Sequence, residues 1–337
     1  MDDAERILGR AAALGFQHLG VARVQIPSPR AAEFQAWLDA RHHGPMTYME
    51  AGAAERINPQ ARMPTARSAL VLAMEHNHRR PPDPGGLTGK VARYAWGRDY
   101  HNLAGKRLKK LMRQLRAEGV ACWGGIDTAP ILERAWAEAA GVGFSGKNCV
   151  QILPAHGSWM FLGVLFLELE LPATQPITRD HCGRCTRCLD ACPTGAFLGP
   201  HVLDARRCIS TWTIESRGPI PEHLRPGIGR WVFGCDVCQE VCPHNVSAPD
   251  SPEDDFAPVN AWLDLPWLLG ASEEEILARF TGTPLRRPGA RGLKRNACVV
   301  LGNLGNNEAI PALERVASGQ DPLLAEHARW AIARIGM

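Results

Sequence analysis

The sequence predicts an α+β fold in three successive units, and three observations carry that prediction. Dense apolar runs with the composition of buried strands alternate with amphipathic helices over residues 1–172. Cysteines crowd residues 173–250, and similar helix faces recur over residues 251–337. At 337 residues and 45% hydrophobic composition, the chain has apolar material for more than one core.

In the first unit, Ile7, Ala11 and Leu14 mark an amphipathic helix. Residues 66–74 and 159–167 have the apolar density of buried strands, whereas 103–115 and 131–140 have helical spacing. Pattern alone fits an α+β or α/β unit, and an α/β unit is expected. The acidic opening, Met-Asp-Asp-Ala-Glu-Arg, resembles no secretory or transit peptide. The longest apolar stretch, 160–171, is interrupted by Glu168 and Glu170 and falls short of the roughly 20 residues that span a bilayer. Arg79-Arg80 is internal and followed by Pro81-Pro82, unlike a twin-arginine leader. A cytoplasmic protein without a membrane partner is expected. The formal charge of +3 names no partner by itself.

Between His181 and His244 the chain reads Cys182-Gly-Arg-Cys185-Thr-Arg-Cys188-Leu-Asp-Ala-Cys192-Pro193, then Cys208, then Cys235-Asp-Val-Cys238-Gln-Glu-Val-Cys242-Pro243. This is the ligand pattern of two [4Fe-4S] clusters. Three closely spaced thiolates curl around one cubane, and the fourth cysteine, turned away by the following proline, ligates the other. The expected sets are therefore crossed. Cys182, Cys185, Cys188 and Cys242 would hold one cluster; Cys192, Cys208, Cys235 and Cys238 would hold the other. Two four-cysteine zinc sites would also use such pairs, but they need neither the further cysteine nor the terminal prolines. Cys122, Cys149 and Cys298 lie outside this region, and with no secretory segment a disulfide framework is not expected. The 26 residues between Cys208 and Cys235 exceed a compact ferredoxin, so more than electron carriage is expected.

Proline-bearing connectors at 171–178 and 247–255 bound the cysteine region. Beyond the second, Ala297, Val300, Leu301, Leu304 and Gly305 reappear 31 residues later as Ala328, Ala331, Ile332, Ile335 and Gly336. Each copy reads as an apolar helix face stopped by a glycine. With Ile310, Leu313 and Val316 between them, this looks like a short HEAT-type repeat; an ordinary helical cap is the plainer reading.

Several further segments accompany the cysteines: Ala92-Arg-Tyr-Ala-Trp-Gly-Arg-Asp-Tyr-His101, Ile126-Asp-Thr-Ala-Pro-Ile-Leu-Glu-Arg134, Ala140-Gly-Val-Gly-Phe-Ser-Gly-Lys-Asn-Cys149, Gly157-Ser-Trp159 and Gly292-Leu-Lys-Arg-Asn-Ala297. Over nearly its whole length the chain resembles the epoxyqueuosine reductases, cobalamin-dependent iron-sulfur enzymes of tRNA modification. The resemblance implies reduction of the epoxide of epoxyqueuosine, at the wobble position of tRNA, to the alkene of queuosine. It also implies an N-terminal cobalamin-binding domain, a ferredoxin-like double-cluster domain and a C-terminal HEAT-like domain, in the order of the three units. A low-potential donor such as flavodoxin or ferredoxin is the expected electron source, and a monomer is expected.

Removing an epoxide oxygen requires an acid, because an alkoxide leaves poorly until protonated. The resemblance assigns this role to Asp127, whose pKa burial against a corrin would raise; the bland alternative is that Asp127 or Thr128 caps a helix beginning near Pro130. It further implies a cofactor pocket lined by Arg56, Gln151 and Leu162 with Ser210, Cys235 and Asp236. The turn 145–148 is a weaker candidate for a corrin contact. Six basic residues between Lys106 and Arg116 read as a solvated helix face. In contrast, Arg286, Arg287, Arg291, Lys294 and Arg295 fall together without an acid and read as a phosphate-binding loop. That loop, Ser272, Arg217 and Arg225 are the expected tRNA contacts. A ferredoxin-type electron-transfer module and a cobalamin-dependent reductive dehalogenase are the competing readings. The first predicts no cobalamin and a dispensable Asp127, and the second is normally exported.

Overall fold

The computed structural model describes residues 2–25, 28–177 and 181–336. Its first stretch contains α1 (Asp3–Ala13), β1 (His18–Arg23), α2 (Ser28–Asp39), α3 (Ala53–Ile57), β2 (Ser68–Glu75), β3 (Thr88–Val91), α4 (Tyr100–Ala117), β4 (Cys122–Ile126), α5 (Glu133–Ala139), β5 (Phe144–Ser145), β6 (Gln151–Ile152) and β7 (Met160–Leu167). Strands β1, β2, β7 and β4 form one sheet in that order, and each neighbouring pair is antiparallel. The α/β expectation for this stretch is thus corrected to α+β. Alternation of helices and strands along a chain does not by itself set strand direction.

Every residue of β2 is buried, because helices cover both faces of the sheet. Leu70, Leu72 and Met74 pack with Ile7 of α1 and Leu108, Leu111 and Leu115 of α4. Ala69, Val71 and Ala73 turn the other way, onto Trp136 of α5 and Phe166. Such a strand reads as a continuous apolar run, which is why it is plain in the sequence.

The cysteine-bearing stretch contains α6 (Arg187–Asp190), the hairpin β8 (Phe197–Gly199) and β9 (Val202–Leu203), α7 (Arg225–Ile228), β10 (Trp231–Phe233) and α8 (Val237–Glu240). The insertion between Cys208 and Cys235 is occupied by a π-helical turn at Thr211–Glu215, then α7 and β10. The last stretch comprises β11 (Trp262–Asp264), α9 (Leu265–Gly270), α10 (Glu273–Arg279), α11 (Gly289–Leu304), α12 (Ile310–Ala317) and α13 (Pro322–Ile335). Strand β3 lies between β10, to which it is parallel, and β11, to which it is antiparallel. Lys90 pairs with both Trp231 and Trp262, so each stretch gives one strand to this sheet.

Helices α11 and α13 approach closely at Gly302, where an added Cβ would meet Ala331 Cα at 2.8 Å. Gly305 closes α11 in the left-handed conformation at φ 65°, but Gly336 has φ −81°. The 31-residue recurrence therefore extends to the helix faces and not to the glycine stop. Among the described residues no helix is long and apolar enough to cross a membrane.

Candidate active site and cluster cradle

A cleft of about 870 Å³ opens at the edge of the main sheet where β2 and β4 end and β7 begins. Arg56, Asp127, Gln151, Leu162, Asp236 and Arg287 all line it. Arg56 donates through Nη1 to Ile131 O at 3.2 Å, and Gln151 through Nε2 to Val142 O at 2.7 Å. Arg56 Nε, Gln151 Oε1 and Glu133 Oε1, however, are buried without a hydrogen-bond partner among the described residues. Burial pushes the Glu133 carboxyl up to about 8. Orphaned polar atoms are costly in a protein interior, so these three mark where a polar ligand would be held. Asp236 is buried, accepts the Arg93 amide N–H at 2.7 Å and lies 3.4 Å from Arg80; burial pushes its carboxyl up to about 6. Ser210 and Cys235 do not line the cleft. Ser210 instead turns its amide and hydroxyl toward the sulfur of Cys208.

Asp127 follows β4 directly and has φ 60°, a left-handed conformation that turns its side chain out of the strand line into the cleft. Tyr100 OH donates to Asp127 Oδ2 at 2.7 Å, and His101 Nε2 lies 3.5 Å from the same oxygen. His101 Nδ1 is 2.9 Å from Asp99 Oδ1, and Asp99 also caps α4 by accepting the His101 amide. One expectation is corrected here. The helix begins at Glu133 and Asp127 gives it no cap, its carboxylate being engaged by Tyr100 instead. The Asp127 side chain is 55% exposed in the open cleft, and although desolvation pushes its carboxyl up, His101 and Tyr100 outweigh it and the net pKa is lowered. The same pairing, with Asp99, raises His101 to about 9. At neutral pH the mobile proton accordingly sits on His101 and Asp127 is a carboxylate.

The eight cysteines converge as two groups. Cys182, Cys185, Cys188 and Cys242 line a second cavity of about 250 Å³ together with Lys147, His181 and His244. The Cys188 thiol is pushed up by burial and by the other three sulfurs of this group. Cys235 is pushed up by burial and by Cys208 and Cys192, and Cys238 by burial and by Cys235 and Cys208. Four thiols around a cavity suit a cubane cluster, whose iron would hold them as thiolates. Asp236 and Gln239, the chain neighbours of Cys235 and Cys238, line the large cleft, so this second group adjoins it. The turn at 145–148, a candidate corrin contact, faces the cysteines instead. Lys147 Nζ donates to Gly183 O and Cys185 O, and Asn148 Nδ2 to Cys238 O.

Residues 181–245 match the family described as "4Fe-4S double cluster binding domain", and residues 56–128 match "Epoxyqueuosine reductase QueG, DUF1730". The epoxyqueuosine reductase of Pseudomonas aeruginosa is 43% identical, over 96% of this chain and 92% of the relative. That of Escherichia coli is 39% identical, over 98% and 89%. The chain belongs to the epoxyqueuosine reductase family. A crystal structure of a family member with an epoxyqueuosine-modified tRNA-Tyr stem loop superposes with a TM-score of 0.91 at 30% identity, covering 99% of this chain and 90% of that one. A Bacillus subtilis member, captured with its catalytic aspartate loop swung out of the active site, matches with a TM-score of 0.88 at 29% identity, over 98% and 90%.

The basic segment expected to meet tRNA is largely helical, since α11 begins at Gly289. Arg295 is fully buried and donates to the carbonyls of Trp212, Ser216 and Gly218, so its guanidinium is spent on tying α11 to the π-helical turn rather than offered at the surface. Arg225 is likewise buried, bonded to Ile220 O and Glu326. Ser272 forms a capping box with Glu275 at the start of α10, which occupies its hydroxyl. Arg287 pairs with Glu215 and Arg291 with Asp321, acids distant in sequence; Arg217 donates to Ile214 O and Arg287 O. Among the described residues neither Arg286, which is exposed, nor Lys294, which is half-buried, forms an ion pair. Tyr100, His101 and Glu133 were given no role by sequence reasoning. The succession of three polar residues from Asp99 to His101 at a helix start was the available signal.

Proposed function

We propose that this chain reduces the epoxide of epoxyqueuosine in tRNA to the alkene of queuosine, with a cobalamin in the large cleft and two crossed [4Fe-4S] clusters behind it. The conversion takes up two electrons and two protons and releases the oxygen as water. The observation that carries the reading is the convergence, in one cleft, of Asp127, orphaned polar atoms and the margin of a cysteine cradle. Arg56, Gln151, Leu162 and Asp236 would hold the cofactor, whose amide-bearing rim suits the unpartnered Arg56 Nε and Gln151 Oε1. When bound, cobalamin supplies a reduced cobalt centre that engages the carbon skeleton.

The chain's own residues manage the protons. Asp127, a carboxylate at rest, relays one from His101, which Asp99 steadies, to the departing oxygen. Tyr100, stacked on Phe161 with ring centroids 4.3 Å apart, fixes the carboxylate that it bonds. Cys182, Cys185, Cys188 and Cys242 would hold the cluster remote from the cleft and Cys192, Cys208, Cys235 and Cys238 the one beside it, and the pair would supply low-potential electrons. A small low-potential protein such as flavodoxin or ferredoxin serves as donor to a cytoplasmic monomer. The last three helices and the turn that leads into them form the HEAT-like tRNA platform, with Arg286 and Lys294, unpaired among the described residues, as its cations.

The test is anaerobic turnover of an epoxyqueuosine-containing anticodon stem-loop by protein reconstituted with iron, sulfide and cobalamin. Queuosine formation that requires both cofactors, with corrin bands beside broad cluster absorption, supports the reading. Reduced clusters with no dependence on cobalamin would return the chain to the electron-transfer class.

A further inference from the structure

On the sheet, but outside the lining of the large cleft, His18, Glu75 and His156 come together from three separated parts of the chain. His18 opens β1, Glu75 closes β2, and His156 lies in the turn between β6 and β7. Glu75 Oε1 is 2.9 Å from His18 Nε2 and 2.7 Å from His156 Nδ1, and all three ligand atoms lie within 4.8 Å of one another. We propose that these residues form a binding site for one divalent transition-metal ion of the zinc type, distinct from the cluster cradle.

Two imidazole nitrogens and one carboxylate oxygen are a donor set that suits zinc, with water completing the shell. The backbone holds Glu75 on two sides, since its amide donates to Gln17 Oε1 at 3.0 Å and its carbonyl accepts from Ser251 Oγ at 2.6 Å. The Glu75 side chain is 8% exposed and that of His156 38%, so a fixed, buried carboxylate meets a ligand reachable from solvent. On binding, each imidazole would carry its proton on its other nitrogen and offer the inward one to the metal; no net proton need be lost from neutral rings. The ion would tie the end of β2, whose next residue His76 lines the cleft, to the turn that precedes Ser158. Ser158 in turn bonds Gln239 and Asn245 of the cluster-bearing stretch, at 2.9 Å and 2.7 Å.

Cluster-loaded full-length protein, stripped of loose metal with a mild chelator, is titrated with Zn²⁺ against a chromophoric zinc indicator. One site per chain is expected, uncompeted by Mg²⁺, which prefers oxygen ligands. Glu75→Gln, His18→Asn and His156→Asn should each weaken zinc affinity by roughly tenfold or more while iron content and cluster absorption stay unchanged. Anomalous scattering at the zinc edge should place the ion among these three side chains. Wild-type zinc affinity in Glu75→Gln, or no zinc retained at about 100 times the indicator's own dissociation constant by protein with intact clusters, would reduce the trio to a hydrogen-bonded cluster only.

Discussion

His101 stands with its Nε2 3.5 Å from Asp127 Oδ2 and its other ring nitrogen on Asp99. With His101 raised to about 9 and Asp127 lowered, the pair stores its proton on the imidazole at neutral pH. The rate of stem-loop reduction should accordingly fall as pH rises through about 9. His101→Gln should lose that alkaline limb and turn over roughly tenfold or more slowly at neutrality. An unchanged limb in the variant would move the titrating group elsewhere.

The same shift has a stability consequence whose sign is fixed. A histidine raised from about 6.5 lends its stabilisation fully below that value and loses it as pH climbs through the folded-state pKa. The difference in denaturation midpoint between wild type and His101→Gln should be largest below about pH 6.5 and fade as pH passes about 9.

Asp127→Asn keeps the Tyr100 hydrogen bond but removes the carboxylate through which the proton passes. Clusters, cobalamin uptake and tRNA affinity should survive, and single-turnover rates should drop by roughly two to four orders of magnitude. Near-normal rates would show that another acid protonates the oxygen.

Anaerobic reconstitution should yield about eight iron and eight sulfide per chain, as two cubanes require. Cys182→Ala and Cys192→Ala should each impair one cluster, read from iron content and electron paramagnetic resonance. Stoichiometric zinc without iron would overturn the assignment of the cradle.

The basic residues of this segment should behave in opposite ways. Arg286→Ala with Lys294→Ala should weaken stem-loop binding and flatten the log-affinity against log-salt slope by roughly 0.7–0.9 per lost contact. Arg295→Ala should instead unfold the protein more readily, by about 3 kcal/mol or more, because the carbonyls of Trp212, Ser216 and Gly218 lose a buried donor. Chemical denaturation separates the two effects from binding.

Those arginines also show what sequence can and cannot convey. The buried strands, helix α4 and the cysteine spacing were legible because each is a local pattern: an apolar run, a helical period, a fixed ligand interval. Arg295 and Arg286 are indistinguishable by such patterns, since what separates them is a π-helical turn whose Trp212 lies 83 residues before Arg295. The partners of Asp127 were hidden for a similar reason. His101 and Tyr100 reach it from the start of α4, more than twenty residues back along the chain. Strand direction in the main sheet was equally non-local.

Strand β3 bears on how the molecule comes into being. Its partners β10 and β11 are made long after it, so closing each pairing means closing a loop of well over a hundred residues. Contacts of such separation form late in folding. The edge of β3 therefore waits exposed while the cysteines of the middle stretch are already available for metal, and a premature stop before Trp262 would leave Lys90 with a partner on one side only. Such an edge is a template for pairing between chains, and truncated or slowly completed copies of this protein are expected to aggregate through β3.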